Sequence, residues 1–217
     1  MLIETAREQM IEQQVRAWDV LDERILTVLR VVPRERFVPE RWRELAFADT
    51  EIPLPCAKRM LRPMLVGRIL QALTVQPGEQ VLEIGTGSGY VAACLAQLGG
   101  RVQSIELHEE LVGLARSNLK AATPALTVDV VKGDGMLLPE GALYDVIVLT
   151  GSLPIYQPRF ERALRPGGRL FVVSGAHEPQ QASLVRRLGP RDWSSEVLFE
   201  TAIEALENAP RPPQFGF

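Results

Sequence analysis

Cysteine and histidine are scarce, with two of each in 217 residues. Cys56, Cys94, His108 and His177 stand in unrelated contexts, so neither a disulfide framework nor a His/Cys zinc site is expected, and no metal is assigned. That usage points to a reducing, cytoplasmic compartment. No apolar run approaches the roughly 18 residues that a membrane-spanning helix needs. The stretch from Met1 to Met10 is mixed polar and acidic without an apolar leader, so neither membrane nor secreted status is expected. Positive charge is not in excess either. Lys and Arg total 24 against 27 Asp and Glu, a net charge of −3, which excludes the global basic field that draws nucleic acid. What is abundant is apolar side chain, 46% of the chain. At this length a globular chain buries about 70% of its unfolded surface, enough for one compact domain as monomer or homodimer.

Spacing divides the chain into three parts: helices and a loop over 1–62, a core over 63–207, and an extended, Pro-rich tail over 208–217. From Ile3 to Val32 the apolar residues recur at three and four, the mark of helical faces, with Asp22 placed to cap the second helix. Pro33 and Pro39 punctuate it, a short helix carries Trp42 and Leu45, and 46–62 reads as irregular. Pro63 suits the first position of a helix reaching about Leu73. Beyond Pro77-Gly78, apolar runs at 81–84, 102–105, 126–131, 146–149 and 169–173 alternate with helical stretches at 90–98, 109–121 and 160–164. Strands separated by helices need crossovers, so the fold class is α/β, a doubly wound, Rossmann-like parallel sheet. Two extended stretches, 182–188 and 195–203, flank Gly189-Pro190-Arg191-Asp192 as an antiparallel hairpin at the sheet edge.

The stretch from Val81 to Tyr90, VLEIGTGSGY, is a strand running through glycines into a helix, which offers a ligand both close backbone approach and unpaired N–H groups. The dinucleotide fingerprint wants its third glycine at the position held by Tyr90, so a nicotinamide dehydrogenase is disfavoured. Roughly twenty residues on, Glu106 ends the second strand, where a carboxylate can accept from both ribose hydroxyls. Gly133-Asp134-Gly135 ends the third strand, where a carboxylate can accept from an adenine amine. All three fall at carboxyl ends of neighbouring strands, the ligand edge of open α/β sheets. Together they describe an adenosine pocket.

VLEIGTGSGY, Ile105-Glu106, Gly133-Asp134-Gly135, LRPGGRL over 164–170 and VPRERFVP over 32–39 resemble the protein-L-isoaspartate O-methyltransferase family of class I S-adenosylmethionine-dependent methyltransferases, over roughly 15–173. The resemblance implies an O-methyltransferase whose cofactor, S-adenosyl-L-methionine, lies against Glu83, Gly85, Thr86, Gly87, Ser88, Glu106, Leu107, Gly133, Asp134, Gly135 and Thr150. It implies as partner a protein or peptide with an abnormal aspartyl carboxylate, and hence protein repair. The family's acceptor-side run Gly-Gln-Thr-Ile-Ser-Gln-Pro corresponds to Ala57-Lys58-Arg59-Met60-Leu61-Arg62-Pro63, so Arg59 replaces the threonine and Leu61 the serine. Leu61, Arg59 and Thr150 are the residues this places on the acceptor side, with Ser152 a further contact or a helix cap. Lys58, Arg59 and Arg62 favour an anionic acceptor, since arginine captures carboxylates through paired N–H groups. Two alternatives accompany this reading: a methyltransferase for another small anionic acceptor, and a binding module that has lost catalysis.

Overall fold

The computed structural model describes residues 2–138, 141 and 143–213. Its N-terminal quarter is held by buried apolar faces. Helix α1 (Leu2–Met10) continues through a widened π turn (Ile11–Val15) and a 3-10 turn (Arg16–Trp18), so that Met10, Ile11 and Val15 all reach the interior. The run stops at Asp19, whose φ of 60° is left-handed. Helix α2 (Glu23–Val31) starts where Asp22 Oδ1 accepts the Arg24 N–H at 2.8 Å, the expected cap. Residues 46–62, read as irregular from the sequence, contain a minimal hairpin instead. Strand β1 (Ile52–Pro53) pairs antiparallel with β2 (Arg59–Met60). Cys56 and Ala57 turn it at φ of 57° and 55°, values that sequence patterning hides because neither residue is glycine. Helix α3 (Pro63–Leu73) begins at its proline as expected.

The main sheet follows from burial on both faces. Strands β3 (Gln80–Ile84), β4 (Arg101–Glu106), β5 (Val128–Lys132), β6 (Tyr144–Leu149) and β7 (Leu164–Ser174) run parallel, and β8 (Gln180–Gly189) and β9 (Asp192–Thr201) run antiparallel beside them. Their spatial order is β5-β4-β3-β6-β7-β8-β9. Along β6, Val146 and Val148 join one apolar cluster while Ile147 and Leu149 join the other. The period of two therefore fills both faces, as parallel sheets require. Helices α4 (Tyr90–Gln97) and α5 (Glu109–Ala122) pack with α1–α3 on the first face, and α6 (Pro158–Arg162) covers the second. The expected doubly wound sheet and edge hairpin are present.

Two boundaries move. Strand β7 begins at Leu164 rather than 169, because its register against β6 jumps from Tyr144↔Leu164 to Val146↔Arg169 and so absorbs Arg165-Pro166-Gly167-Gly168 as an irregularity. The tail expected to be extended from Asn208 is packed at its start: Ala209 is buried, and Asn208 reaches Asp134. Residues 210–213 then have no regular structure, and 214–217 lie outside the described residues. Among the described residues no helix is long and apolar enough to cross a membrane.

Arg34, in the VPRERFVP run, explains how the N-terminal part grips the core. Its side chain is fully buried, donating to the Ala46 carbonyl at 2.9 Å and the Leu61 carbonyl at 2.8 Å, with its guanidinium 5.0 Å from the Tyr90 ring. One residue thus joins both ends of the 46–61 segment to the first turn of α4. Arg34→Met strands two buried carbonyls and removes a cation–π contact, so urea denaturation is expected to show a loss of about 2–4 kcal/mol. A loss below about 0.5 kcal/mol would contradict this role.

Candidate active site

The glycine turn lies between β3 and α4 because no side chain fits there. Gly85, Gly87 and Gly89 have φ of 95°, 55° and 86°. A Cβ on Gly85 would overlap Thr150 Oγ1, and one on Gly89 would press on the Ala115 backbone of α5. Gly89 therefore does the helix-packing work that the dinucleotide fingerprint assigns one residue later.

Glu106, at the end of β4, is buried and held by two backbone donors. The Gly87 N–H reaches Oε2 at 2.9 Å, and the His108 N–H reaches Oε1 at 3.1 Å. Each carboxylate oxygen keeps a lone pair for a further donor. Asp134 follows β5; its Oδ1 accepts the Met136 N–H at 2.8 Å and its Oδ2 the Asn208 amide at 2.9 Å. Gly135 beside it is required, since a Cβ there would overlap the Ile84 side chain. These groups, with Leu107 and Thr150, line an open cleft at the carboxyl ends of β3 to β6.

A second cavity of about 330 Å³ lies beneath the glycine turn, lined by Leu61, Glu83, Thr86, Ser88 and Tyr90 among others. Both cavities share Arg59, Gly85, Gly87 and Thr150, so they meet there. The Thr150 hydroxyl donates to the Ile84 carbonyl at 2.9 Å and also lies against the Gly85 carbonyl, which locks β6 to the glycine turn. Ser152, buried, donates to the Ile203 carbonyl at 3.0 Å and accepts from Gln180, so it caps no helix. Leu61 is buried and supplies an apolar wall.

Glu83 shares the face of β3 that α4 covers, and it is completely buried. The Ser104 hydroxyl donates to its Oε2, and Thr86 Oγ1 lies 2.6 Å from Ser104 Oγ. Its Oε1 has no hydrogen-bond partner among the described residues. Burial pushes the Glu83 carboxyl up to about 8, against the Ser104 hydrogen bond that lowers it, and the nearby Glu106 charge adds to the rise.

The three loop cations have separate fates. Lys58 Nζ lies 2.7 Å from both Glu204 Oε1 and Glu207 Oε1. Arg62 reaches the Thr201 hydroxyl at 3.2 Å. Arg59 keeps only a 4.0 Å approach of its Nε to Glu51, and its side chain is 58% exposed. The segment 204–207, which sequence reasoning did not include, forms another wall of the larger cleft.

The family model for protein-L-isoaspartate (D-aspartate) O-methyltransferase matches residues 5–203, a longer span than the motifs alone carry. The chain belongs to this family. A protein-L-isoaspartate O-methyltransferase from Koribacter versatilis is 37% identical over 186 residues, covering 85% of this chain and 83% of the relative. One from Methanoculleus marisnigri is 40% identical, covering 84% of each. Among solved structures, a Plasmodium falciparum chain described as an isoaspartate methyltransferase in complex with S-adenosyl-L-homocysteine superposes with a TM-score of 0.79. It has 17% identity and covers 94% of this chain and 97% of that one, so it shows the shared fold. A chain named protein-L-isoaspartate O-methyltransferase superposes with a TM-score of 0.78 at 25% identity, covering 92% of this chain and 65% of its own. These likenesses favour the methyltransferase over the alternatives.

The raised Glu83 carboxyl has a consequence for stability in this methyltransferase. Between pH 4.5 and about 8 the folded protein retains a proton that the unfolded chain has released. Stability therefore falls as pH rises through that window, by about 3–5 kcal/mol in total from this group. Glu83→Gln cannot lose the proton, so its melting temperature relative to the parent is expected to climb steadily from pH 5 to pH 8. A pH-independent difference would refute the buried acid.

Proposed function

We propose that the chain transfers a methyl group from S-adenosylmethionine to the carboxylate of an isoaspartyl or D-aspartyl residue in a damaged protein or peptide. The observation that carries this reading is the meeting of the two cavities at Arg59, Gly85, Gly87 and Thr150. A cleft lined by Glu106 and Asp134 opens there onto a smaller chamber lined by Leu61, Glu83 and Tyr90.

The residues present fit the donor. Glu106 keeps lone pairs for two ribose hydroxyls, and Asp134 presents a carboxylate, braced by Asn208, to an adenine amine. Glu83 Oε1 is buried and unpartnered in the small cavity, where a cationic amino group of the donor would satisfy it. Gly87, with a left-handed φ, leaves the backbone open to close approach, Leu107 and Gly135 line the larger cleft and Ser88 the smaller, and Gly133 leads the chain into Asp134. When bound, the donor supplies a methyl on a sulfonium, so a carboxylate oxygen gains the methyl while the S–C electron pair stays on sulfur and no proton moves.

The chain's task is therefore positioning. Leu61 and Tyr90 keep water from the chamber, which strengthens attraction between the reacting charges. Among the described residues no hydrogen bond engages the Arg59 terminal nitrogens, which leaves them for the acceptor carboxylate, the orienting role that the family's hydroxyls serve. Thr150 acts through the backbone by fixing the glycine turn. Protein repair in the cytoplasm is the corresponding role, in keeping with the two free thiols.

Isothermal titration with S-adenosylhomocysteine is expected to show micromolar binding and a raised melting temperature, with no response to NAD. Incubation with an isoaspartyl peptide should give methyl ester, and no ester above a normal aspartyl control would overturn the reading. Arg59→Gln is expected to raise peptide KM about tenfold, the loss of a charge-assisted contact of about 1.5–3 kcal/mol, with S-adenosylhomocysteine affinity unchanged. An unchanged KM would remove Arg59 from the acceptor side.

A further inference from the structure

Lys58 lies in the middle of the acceptor-side hairpin, yet its ammonium turns away from the acceptor chamber: it lines the larger cleft and not the smaller one. The left-handed pair Cys56 and Ala57 swings it toward the segment that follows β9. There it meets Glu204 and Glu207, each at 2.7 Å, across 146 positions of sequence for Glu204. Burial acts to lower the Lys58 pKa, but the two carboxylates outweigh it and raise it, so the ammonium stays charged.

The segment 204–208 crosses the mouth of the adenosine cleft like a strap. Ser152 N–H donates to the Glu204 carbonyl and Leu206 N–H to the Ser152 carbonyl, both at 2.9 Å. Leu206 fills the space over Gly85 and Gly151. Glu207 also lies 3.2 Å from His108 Nε2, and Asn208 holds Asp134. The strap is therefore tied to the ends of β4, β5 and β6, and Lys58 is its tie to the acceptor-side hairpin.

We propose that Lys58 is a positioning residue: it fastens the strap to the acceptor-side hairpin, so that the donor wall and the acceptor loop are held as one unit, and it does not bind the acceptor. The catalytic consequence rests on the methyl-donor reading above; the fastening itself does not. Both glutamates are about two-fifths exposed, so the tie is screened by salt.

Two measurements separate these levels. In hydrogen exchange on the ligand-free protein, Lys58→Met is expected to speed exchange of the 202–209 amides about five- to tenfold while β8 is unchanged. Lys58→Arg should restore protection, and raising salt should mimic Lys58→Met in the parent. In stopped-flow release of S-adenosylhomocysteine, Lys58→Met and the double variant Glu204→Gln/Glu207→Gln should each raise the off-rate by about tenfold, with no further rise when combined. Unchanged exchange at 202–209 in Lys58→Met overturns the tie. Additive off-rates, or a raised peptide KM with an unaltered off-rate, overturn the positioning role. Should Lys58→Met not fold, the glutamate double variant decides by the same readouts. If the parent fails to bind S-adenosylhomocysteine, the donor reading falls while exchange still judges the tie.

Discussion

One hydrogen bond organises the site: the Gly87 N–H donating to Glu106 Oε2. It joins the turn after β3 to the end of β4, two elements that the parallel register already sets side by side through Ile84↔Ile105. A backbone donor in a glycine turn has no helical partner, and a buried carboxylate must find donors, so each satisfies the other's need. The left-handed φ at Gly87 lets the chain turn on from that bond toward α4. From that bond follow the shape of the cleft, the direction of α4 and the orientation of Glu106 toward a ligand.

A second polar cluster, Thr86, Ser104 and Glu83, lies under the turn and opposes stability instead of adding to it. A carboxyl in an apolar interior with one oxygen unpartnered is a poor choice for a structural core. Fold stability alone would favour an apolar residue next to Val81 on that face. On the proposed reading, in which the cationic amino group of the donor meets Glu83, that deficit is converted into binding free energy, which would account for an acid at this position.

Much of this was readable before any coordinates, because the signals are local. The apolar run from Val81 to Ile84, the glycines after it, the acid ending the next strand and the proline opening α3 are each read from a few neighbouring positions. Residues whose meaning depends on distant partners were not readable. Thr150 and Ser152 look like free hydroxyls in sequence, but both are spent on backbone carbonyls. The hairpin of 52–60 escaped because its left-handed residues are Cys56 and Ala57, and periodicity carries no trace of a turn made by non-glycine residues. The strap escaped because nothing near Glu204 announces Lys58.

That last omission changes the electrostatics of the acceptor side. Three cations in five residues read as a basic rim, which would attract any anion. With Lys58 compensated by two carboxylates and Arg62 turned to Thr201, the rim reduces to Arg59 alone, beside a Glu51 that burial pushes upward in pKa. A diffuse positive field discriminates little, whereas one planar fork with free terminal nitrogens prefers a carboxylate presented edge-on. On the proposed acceptor-side role of Arg59, compensating its neighbours sharpens what that arginine would select. Leu61, where the family carries a hydroxyl, lines the same cavity as Arg59, so on the proposed reading the orienting hydrogen bonds pass to the arginine.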